Sequence, residues 1–183
     1  MITEMLWEIE AVRFGEFKLT SGKTSNVYVD LRKIPSYPRV FRYVVSEVVK
    51  KIKEIDFDVI CGVAVGGLPL AAAIAYELGK PMIYVRKERK EHGTEKLIEG
   101  DWEEGSRALL VDDVATTGGS LMAAAEALRG HGLRIEKALV VVDRLEGARE
   151  ALASMDIELL SLITLRDLLS LREVKPWGSE TGT

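Results

Sequence analysis

Two patterns of apolar residues alternate along most of the chain. Apolar residues at helical spacing predict a helix over 40–52, and unbroken apolar runs predict buried strands. The predicted strands are Val59–Val63, Met82–Val85, Ala108–Val111, Ala138–Val142 and Ile157–Ile163. The other predicted helices are Leu68–Ala75, Ser120–Arg129, Gly147–Met155 and Thr164–Leu171, the last with Thr164 as its N-cap.

This alternation predicts an α/β fold with an open parallel sheet and helices on both faces. Strands that are apolar throughout are buried on both sides, because right-handed crossovers place helices on each face of the sheet. Ligands of such sheets bind beyond the carboxyl ends of the strands. The residues after Val63, Val111 and Val142 are therefore the first candidates for a functional site.

Residues 1–36 follow a different pattern, which predicts a small N-terminal hood. Apolar residues at helical spacing come first, and Val27–Leu31 then alternates between apolar and polar residues. The helical positions are Met5, Leu6, Ile9 and Val12. We expect an antiparallel appendage that covers the ligand edge of the sheet. The chain, 1–183, is then one domain, with an α/β core at 37–183 and a mobile loop at about 86–105.

Composition narrows the class of protein. The 183 residues are 47% apolar, enough for one substantial core, and the net charge of -4 does not favour a nucleic-acid partner. No run approaches the roughly 20 apolar residues of a membrane span, and the acidic N-terminus is unlike a signal peptide. A soluble cytoplasmic protein is expected. The single cysteine, Cys61, excludes an internal disulfide and lies in an apolar run typical of a buried thiol.

The segment Asp112–Ser120 is the strongest candidate for a functional site. It joins a predicted strand to a predicted helix. It combines two carboxylates with hydroxyl side chains and glycines. Backbone N–H groups at the helix N-terminus, with the hydroxyls of Thr116, Thr117 and Ser120, can hold a phosphate. Carboxylates repel phosphate and suit sugar hydroxyls or a metal ion. The segment therefore predicts a ribose-phosphate site, whereas an ordinary capped turn explains only one of the acids.

Three weaker signals lie at the same predicted edge. Ala64–Gly67 could admit a second phosphate or be an ordinary glycine turn. The stretch 86–105 is too long for a routine connection, so it is either a solvated hairpin or a loop that closes over a polyanion. Its candidate side chains are Arg86, Lys87, Lys90 and His92. Arg144 could bind a ligand carboxylate or pair with an acid between elements.

The run Leu109–Gly119 resembles the phosphoribosyl-pyrophosphate (PRPP) signature of type I phosphoribosyltransferases. Other segments make the chain similar to the orotate phosphoribosyltransferases in particular. In chain order these are Phe17–Gly22 with Ser25, Tyr28 and Asp30, then Gly62–Pro69, Arg86–Gly93 and Val142–Ala148. The resemblance extends from about Phe14 to Ala148.

The resemblance implies transfer of the 5-phosphoribosyl group from PRPP to orotate. The products would be orotidine 5'-monophosphate and pyrophosphate, in de novo pyrimidine (UMP) biosynthesis. It also implies Mg2+ as cofactor, carried mainly by PRPP rather than by a metal site of the protein. The implied partners are PRPP, orotate and a second copy of the chain, in a homodimer whose active sites are shared across the interface. No nucleic acid and no membrane is implied.

The resemblance further implies roles for individual residues. The implied PRPP-binding residues are Val65, Gly66, Arg86, Lys87, Lys90, His92, Asp112, Asp113, Val114, Ala115, Thr116, Thr117, Gly118, Gly119 and Ser120. Among them, the two aspartates would hold the ribose hydroxyls, and Val65–Gly66 would contact pyrophosphate through a strained, cis Ala64–Val65 peptide. The implied orotate-binding residues are Tyr28, Val29, Thr116 and Arg144.

The implied catalysis is electrostatic, because pyrophosphate leaves with negative charge and the ribose carbon becomes positive. The catalytic residues would be the loop cations Arg86, Lys87, Lys90 and His92, contributed by the neighbouring subunit. Some bacterial members carry lysines where this chain has Thr20 and Gly66, so two cations are absent here.

Two other functions fit parts of the sequence. A purine or uracil phosphoribosyltransferase would share the PRPP loop, but not Arg144 after Val-Asp or the cationic loop motif. A PRPP-sensing regulator would need a DNA-binding element, and the chain shows neither a basic helix-turn-helix segment nor spare length for one.

Overall fold

Helices and strands alternate as the sequence predicts. The protein is represented by a computed structural model, which describes residues 1–18, 24–86 and 97–174. The strands are β1 Val12–Lys18, β2 Thr24–Val29, β3 Val59–Val63, β4 Met82–Val85, β5 Ile98–Glu99, β6 Arg107–Ala115, β7 Arg134–Asp143 and β8 Glu158–Thr164. The helices are α1 Ile2–Glu8, α2 Pro38–Ile52, α3 Gly67–Leu78, α4 Gly119–Arg129, α5 Ala148–Ala153 and α6 Leu165–Val174, and a 3-10 turn, Ile34–Ser36, precedes α2.

Six of the strands form one sheet in the order β5-β4-β3-β6-β7-β8. All neighbours are parallel except β5, which runs antiparallel to β4. The chain leaves β3 through α3 toward β4 on one side, and leaves β6 through α4 toward β7 on the other. The expected open α/β sheet is confirmed, and its strand order reverses between β3 and β6. In such sheets the crevice beyond the strand ends at this reversal is the usual ligand site.

Two apolar clusters cover the two faces of this sheet. On one face Leu109 and Val111 of β6 join residues of the hood, α2 and α3. On the other face Ala108 and Leu110 join residues of α4 and α5. Because side chains alternate along a strand, β6 supplies both clusters. It is apolar at every position from Ala108 to Val111.

The hood is formed by α1 and by the antiparallel pair β1–β2. Leu6 and Ile9 are buried, as the amphipathic pattern predicts. Val12, by contrast, begins β1 and is not part of the helix, because the chain already pairs there with the end of β2. The Trp7 indole N–H donates to the Leu168 carbonyl at 3.0 Å, which ties the hood to α6.

Strand β6 is longer than predicted. We expected it to end at Val111, but it continues to Ala115, because Asp112 and Ala115 pair with Val140 and Asp143 of β7. Asp112 and Asp113 therefore lie within the strand and not in the turn after it.

The stretch 86–105 also contains a strand that was not predicted. Ile98 and Glu99 of β5 pair with Val85 and Tyr84 of β4, and the Arg86 N–H donates to the Leu97 carbonyl at 2.9 Å. Residues 87–96, between these two strands, lie outside the described residues.

Two local predictions are confirmed. Thr164 precedes α6, where its hydroxyl accepts the Asp167 N–H at 3.3 Å and donates to the Asp167 carboxylate at 2.7 Å. Cys61 is fully buried, and this burial raises the pKa of its thiol to about 12. No helix in the described ranges is both long enough and apolar enough to cross a membrane.

Helix α3 begins in direct contact with β6. A Cβ on Gly67 would overlap the Val111 carbonyl oxygen and would lie 2.9 Å from Cα of Asp112. We expect Gly67→Ala to lower the free energy of unfolding by about 1–3 kcal/mol, because the helix must move away from the strand. Denaturant unfolding measures this change. Gly119→Ala, at the first residue of α4, is the matched control, since a Cβ there meets nothing within 4 Å. Equal stability of the two variants would contradict the prediction.

Candidate active site

Asp112 and Asp113 lie side by side at the carboxyl end of β6. They are consecutive residues of this strand. The Asp113 N–H donates to Oδ1 of Asp112 at 2.8 Å, and the Val114 N–H donates to Oδ1 of Asp113 at 2.9 Å. The backbone thus fixes both carboxylates at the crevice where the strand order reverses.

Both carboxylates are held in an environment that disfavours their charge. Burial raises the pKa of Asp112 well above its ordinary value, and the neighbouring charge of Asp113 raises it further. Burial also raises the pKa of Asp113, although hydrogen bonds to its carboxylate act in the opposite direction. Within the described ranges, no group of three or more acidic, histidine or cysteine side chains could hold a metal ion. Carboxylate oxygens are hydrogen-bond acceptors, so the pair is suited to accept hydrogen bonds from neutral hydroxyls.

The turn after β3 packs directly against this pair. The Ala64–Val65 peptide is cis, as expected. A Cβ on Gly66 would overlap the Asp113 carboxylate, so this carboxylate occupies the space that a side chain at residue 66 would need. A lysine there would displace Asp113, which gives a physical reason for glycine at this position.

The loop after β6 presents backbone N–H groups at the start of α4. Gly118 is the N-cap residue, with φ of 86°, a conformation that glycine adopts without strain. Because it has no side chain, it cannot cap the helix, and the first helical bond is from the Met122 N–H to the Gly118 carbonyl at 2.9 Å. Thr117, Gly119 and Ser120 are exposed beside it. These features suit an anion, as the sequence predicts.

Arg144 joins the end of β7 to the hood. Its N–H donates to the Ala115 carbonyl at 2.9 Å, which places it beside Thr116. Its buried guanidinium donates to the Val27 carbonyl at 3.1 Å, to the Ser25 hydroxyl at 2.9 Å and to the Glu146 carboxylate at 2.8 Å. Arg144 thus contacts strand β2, which also carries Tyr28 and Val29.

The Arg144 guanidinium is therefore buried and hydrogen-bonded within the protein. An arginine that only binds a ligand carboxylate would instead have a free guanidinium at the surface. Its acidic partner, Glu146, lies two residues along the chain. A different arginine forms the ion pair between elements. Nε of Arg149 lies 2.7 Å from Oδ2 of Asp143, and this pair links β7 to α5.

The hood holds Tyr28 through three neighbours. Its ring stacks on Phe17 with ring centroids 5.2 Å apart, and the Arg13 guanidinium carbon lies 5.5 Å from the ring centroid. Its hydroxyl accepts a hydrogen bond from the Arg32 guanidinium at 2.9 Å. Val29, the other predicted hood residue, is largely buried.

Only the first of the four predicted loop residues is described. Arg86 follows β4 and forms an ion pair with Glu99 of β5 at 3.2 Å. Lys87, Lys90 and His92 lie outside the described residues, so their roles stay predictions.

Arg32 and Glu146 were missed by the sequence analysis. Arg32 shares a narrow cavity with Gly66 and Asp113. The alternation through Val27–Leu31 contained a signal for Arg32, because residue 32 continues the series of Tyr28 and Asp30. Glu146 had no such signal, since its contact with Arg144 depends on the turn after β7.

The sheet, the glycine-rich helix starts and the buried acid pair define a phosphoribosyltransferase site, and the comparisons with known proteins agree. The family described as phosphoribosyl transferase domain matches residues 39–158. An orotate phosphoribosyltransferase of Sulfolobus acidocaldarius is 52% identical over 156 residues, which cover 85% of this chain and 79% of that protein. The chain belongs to the orotate phosphoribosyltransferase family.

Solved structures show the same relationship. The crystal structure of orotate phosphoribosyltransferase from Aeropyrum pernix has a TM-score of 0.87 and 41% identity, and the match covers 96% of this chain and 99% of that one. The Mycobacterium tuberculosis enzyme in complex with PRPP has a TM-score of 0.74 and 31% identity, with 91% and 96% covered.

The raised pKa of Asp112 predicts a gain in stability when its charge is removed. Its pKa is higher in the folded protein than in the unfolded chain, so the folded state loses stability as the pH rises above the ordinary value of 3.8. We expect Asp112→Asn to raise Tm at neutral pH by about 2 °C or more and to lower kcat/KM for PRPP about tenfold or more. Thermal unfolding from pH 4 to pH 8 should show the Tm difference widening with pH.

Asp58→Asn is a control for which we expect a change in Tm of the opposite sign. Hydrogen bonds from Arg107 lower the pKa of Asp58 to about 2, so this carboxylate stabilises the fold above pH 3.8 and loses its effect as the pH falls through 2. Asp58→Asn should therefore lower Tm at neutral pH. A lower Tm for Asp112→Asn as well would show that the acid pair is stabilising and would refute the prediction.

Proposed function

We propose that this chain transfers the 5-phosphoribosyl group of PRPP to orotate in the crevice between the ends of β3 and β6. One observation supports this site above others: Asp113 packs on Gly66, so the acid pair and the turn after β3 form a single surface. The start of α4 follows directly from the same strand, β6. Membership of the orotate phosphoribosyltransferase family supplies the acceptor and the pathway, which is pyrimidine biosynthesis.

Each part of the crevice suits a different part of PRPP. The N–H groups and hydroxyls of 116–120 would bind the 5'-phosphate, because they offer donors and the positive end of a helix. Asp112 and Asp113 would accept hydrogen bonds from the ribose hydroxyls. The backbone at Val65–Gly66 would face the diphosphate. Arg144, Thr116 and the strand that carries Tyr28–Val29 would surround the orotate ring.

Mg2+ is part of the proposal as a partner of the substrate. The acid pair suits this assignment, because Asp112 and Asp113 supply carboxylate oxygens, the ligands that Mg2+ prefers, beside the turn after β3. Oxygen ligands from PRPP would complete the coordination that Mg2+ requires, with Asp112 or Asp113 close to it. When bound, Mg2+ neutralises charge on the departing diphosphate.

The protein's own contribution is orientation and electrostatics. Backbone donors hold the 5'-phosphate, and the fixed carboxylates orient the ribose so that its anomeric carbon faces orotate. Positive charge develops on that carbon as the bond to diphosphate breaks, beside the carboxylate pair. The cations Arg86, Lys87, Lys90 and His92 would stabilise the leaving group. No covalent intermediate is required.

We also propose a homodimer in which each subunit places its loop cations over the partner's site, and a cytoplasmic location. The base of the loop, formed by β4 and β5, holds Arg86 at the edge of the sheet. A loop that starts at a sheet edge can reach a neighbouring molecule, and closure would exclude water from the activated sugar.

The reaction is tested by the loss of orotate absorbance when the purified chain is mixed with PRPP and Mg2+. Turnover should require both, and uracil, adenine and hypoxanthine should give no PRPP-dependent product. Orotidine 5'-monophosphate is then identified by mass. Reaction with a purine instead of orotate, or PRPP binding without turnover of any acceptor, would refute the proposed function.

Shared active sites predict that two impaired variants restore part of each other's activity. Lys90→Ala should lower kcat by about 10² or more, and Asp112→Asn removes a different part of the same site. Random exchange of subunits makes about half of the dimers mixed, each with one intact site, so activity should return to about a quarter of the parent. Light scattering confirms the dimer, and a tagged subunit confirms the exchange. Exchange without recovery would show that Lys90 acts in its own subunit.

A further inference from the structure

Arg32 lies just after β2, with its guanidinium held in place by the hood. Nε donates to Oδ1 of Asp30 at 2.8 Å, and Nη2 donates to the hydroxyl of Tyr28 at 2.9 Å. The backbone N–H of Arg32 also donates to Asp30, at 3.3 Å. The side chain nevertheless remains 59% exposed. Such an arginine is oriented in advance and still accessible to a ligand.

The position of Arg32 links the hood to the acid pair. Arg32, Gly66 and Asp113 line the same narrow cavity, which lies between the hood and α3. The charge of Arg32 is close enough to lower the pKa of Asp113, against the larger effect of burial. Within the described residues the ion-pair partner of Arg32 is Asp30, so the Arg32 guanidinium is not paired with Asp113.

Two other described arginines near this edge, Arg144 and Arg86, are already paired. The Arg144 guanidinium is buried against Glu146, Ser25 and Val27. Arg86 is paired with Glu99. Gly66 has no side chain, and Asp113 fills the space beside it, so the turn after β3 cannot supply a cation itself. A diphosphate at this turn needs positive charge from another element.

We propose that Arg32 is a substrate-binding residue that donates hydrogen bonds to the diphosphate of PRPP, with Asp30 and Tyr28 as the residues that position it. The proposal rests on the proposed function, since it assigns the diphosphate to the turn at Val65–Gly66. It adds a cation from the hood to the loop cations proposed for the leaving group, so that the diphosphate is bound from two different elements.

The test compares Arg32→Gln and Arg32→Lys with the parent. Loss of one charge-assisted contact should raise KM for PRPP, and the inhibition constant of pyrophosphate, by about tenfold or more for Arg32→Gln. KM for orotate should stay within about twofold. Arg32→Lys keeps the charge but not the planar guanidinium, so its KM for PRPP should lie between the other two.

Lys33→Gln is the matched control. It removes one positive charge at the next residue, whose ammonium lies 5.7 Å from the ring centroid of Tyr37. Its kinetic constants and Tm should equal those of the parent. Tm of both Arg32 variants is measured in parallel, so that a loss of hood packing is recognised.

The outcomes of these experiments distinguish a failure of the role proposed for Arg32 from a failure of the proposed reaction. A rise in KM for orotate with unchanged KM for PRPP would overturn it and assign Arg32 to the orotate carboxylate. Unchanged pyrophosphate inhibition in Arg32→Gln would also overturn it. If the parent has no activity, the proposed function fails, and calorimetric titration with PRPP and Mg2+ still decides the role of Arg32. If Arg32→Gln does not fold, the role of Arg32 is decided by the dissociation constant of PRPP for Arg32→Lys. A higher dissociation constant in a variant with the Tm of the parent supports the inference. An unchanged dissociation constant overturns it.

Discussion

The architecture of this site depends on the close contact between the start of α3 and strand β6. Gly67 touches the backbone at Val111 and Asp112, and Gly66 touches the Asp113 carboxylate. A Cβ on Gly67 would separate the helix from the strand, and a Cβ on Gly66 would displace the Asp113 carboxylate. The contact brings the turn after β3 and the acid pair into one crevice, so that a diphosphate and a ribose can be bound on adjacent surfaces. Two glycines thus set the distance between two functional groups that lie nearly fifty residues apart in the sequence.

The buried acid pair opposes stability, and its proposed role would require this cost. Burial of Asp112 and Asp113 disfavours their charged forms, which are the forms that accept hydrogen bonds from sugar hydroxyls. The fold accommodates this cost because β6 is buried on both faces as far as Val111, where two apolar clusters meet it. The carboxylates follow immediately after this apolar stretch, so a central strand of the sheet carries them.

Arginines connect the hood to the core and give the site its positive charge. Arg144 donates to the backbone of β2, and Arg32 shares a cavity with Gly66 and Asp113. Each is oriented by an acid two residues away in the sequence, Glu146 and Asp30 respectively. These pairs fix the direction of long side chains at low entropic cost, and they couple the position of the hood to the geometry of the crevice.

The parallel sheet, the order of its helices and strands apart from β5, and the segment that carries the acid pair could all be predicted from the residues alone. These features depend on local periodicity and on residue types that follow one another, such as the apolar run up to Val111 and the hydroxyl-glycine run after Ala115. Tertiary structure decided the end of β6, because pairing with β7 extends it to Ala115, and it decided that β5 pairs with β4. It also decided which polar and charged side chains lie close to each other. Arg32 approaches Asp113, and Arg144 reaches Ser25, only because the hood folds back over the sheet, and such long-range contacts leave no periodic trace in the sequence.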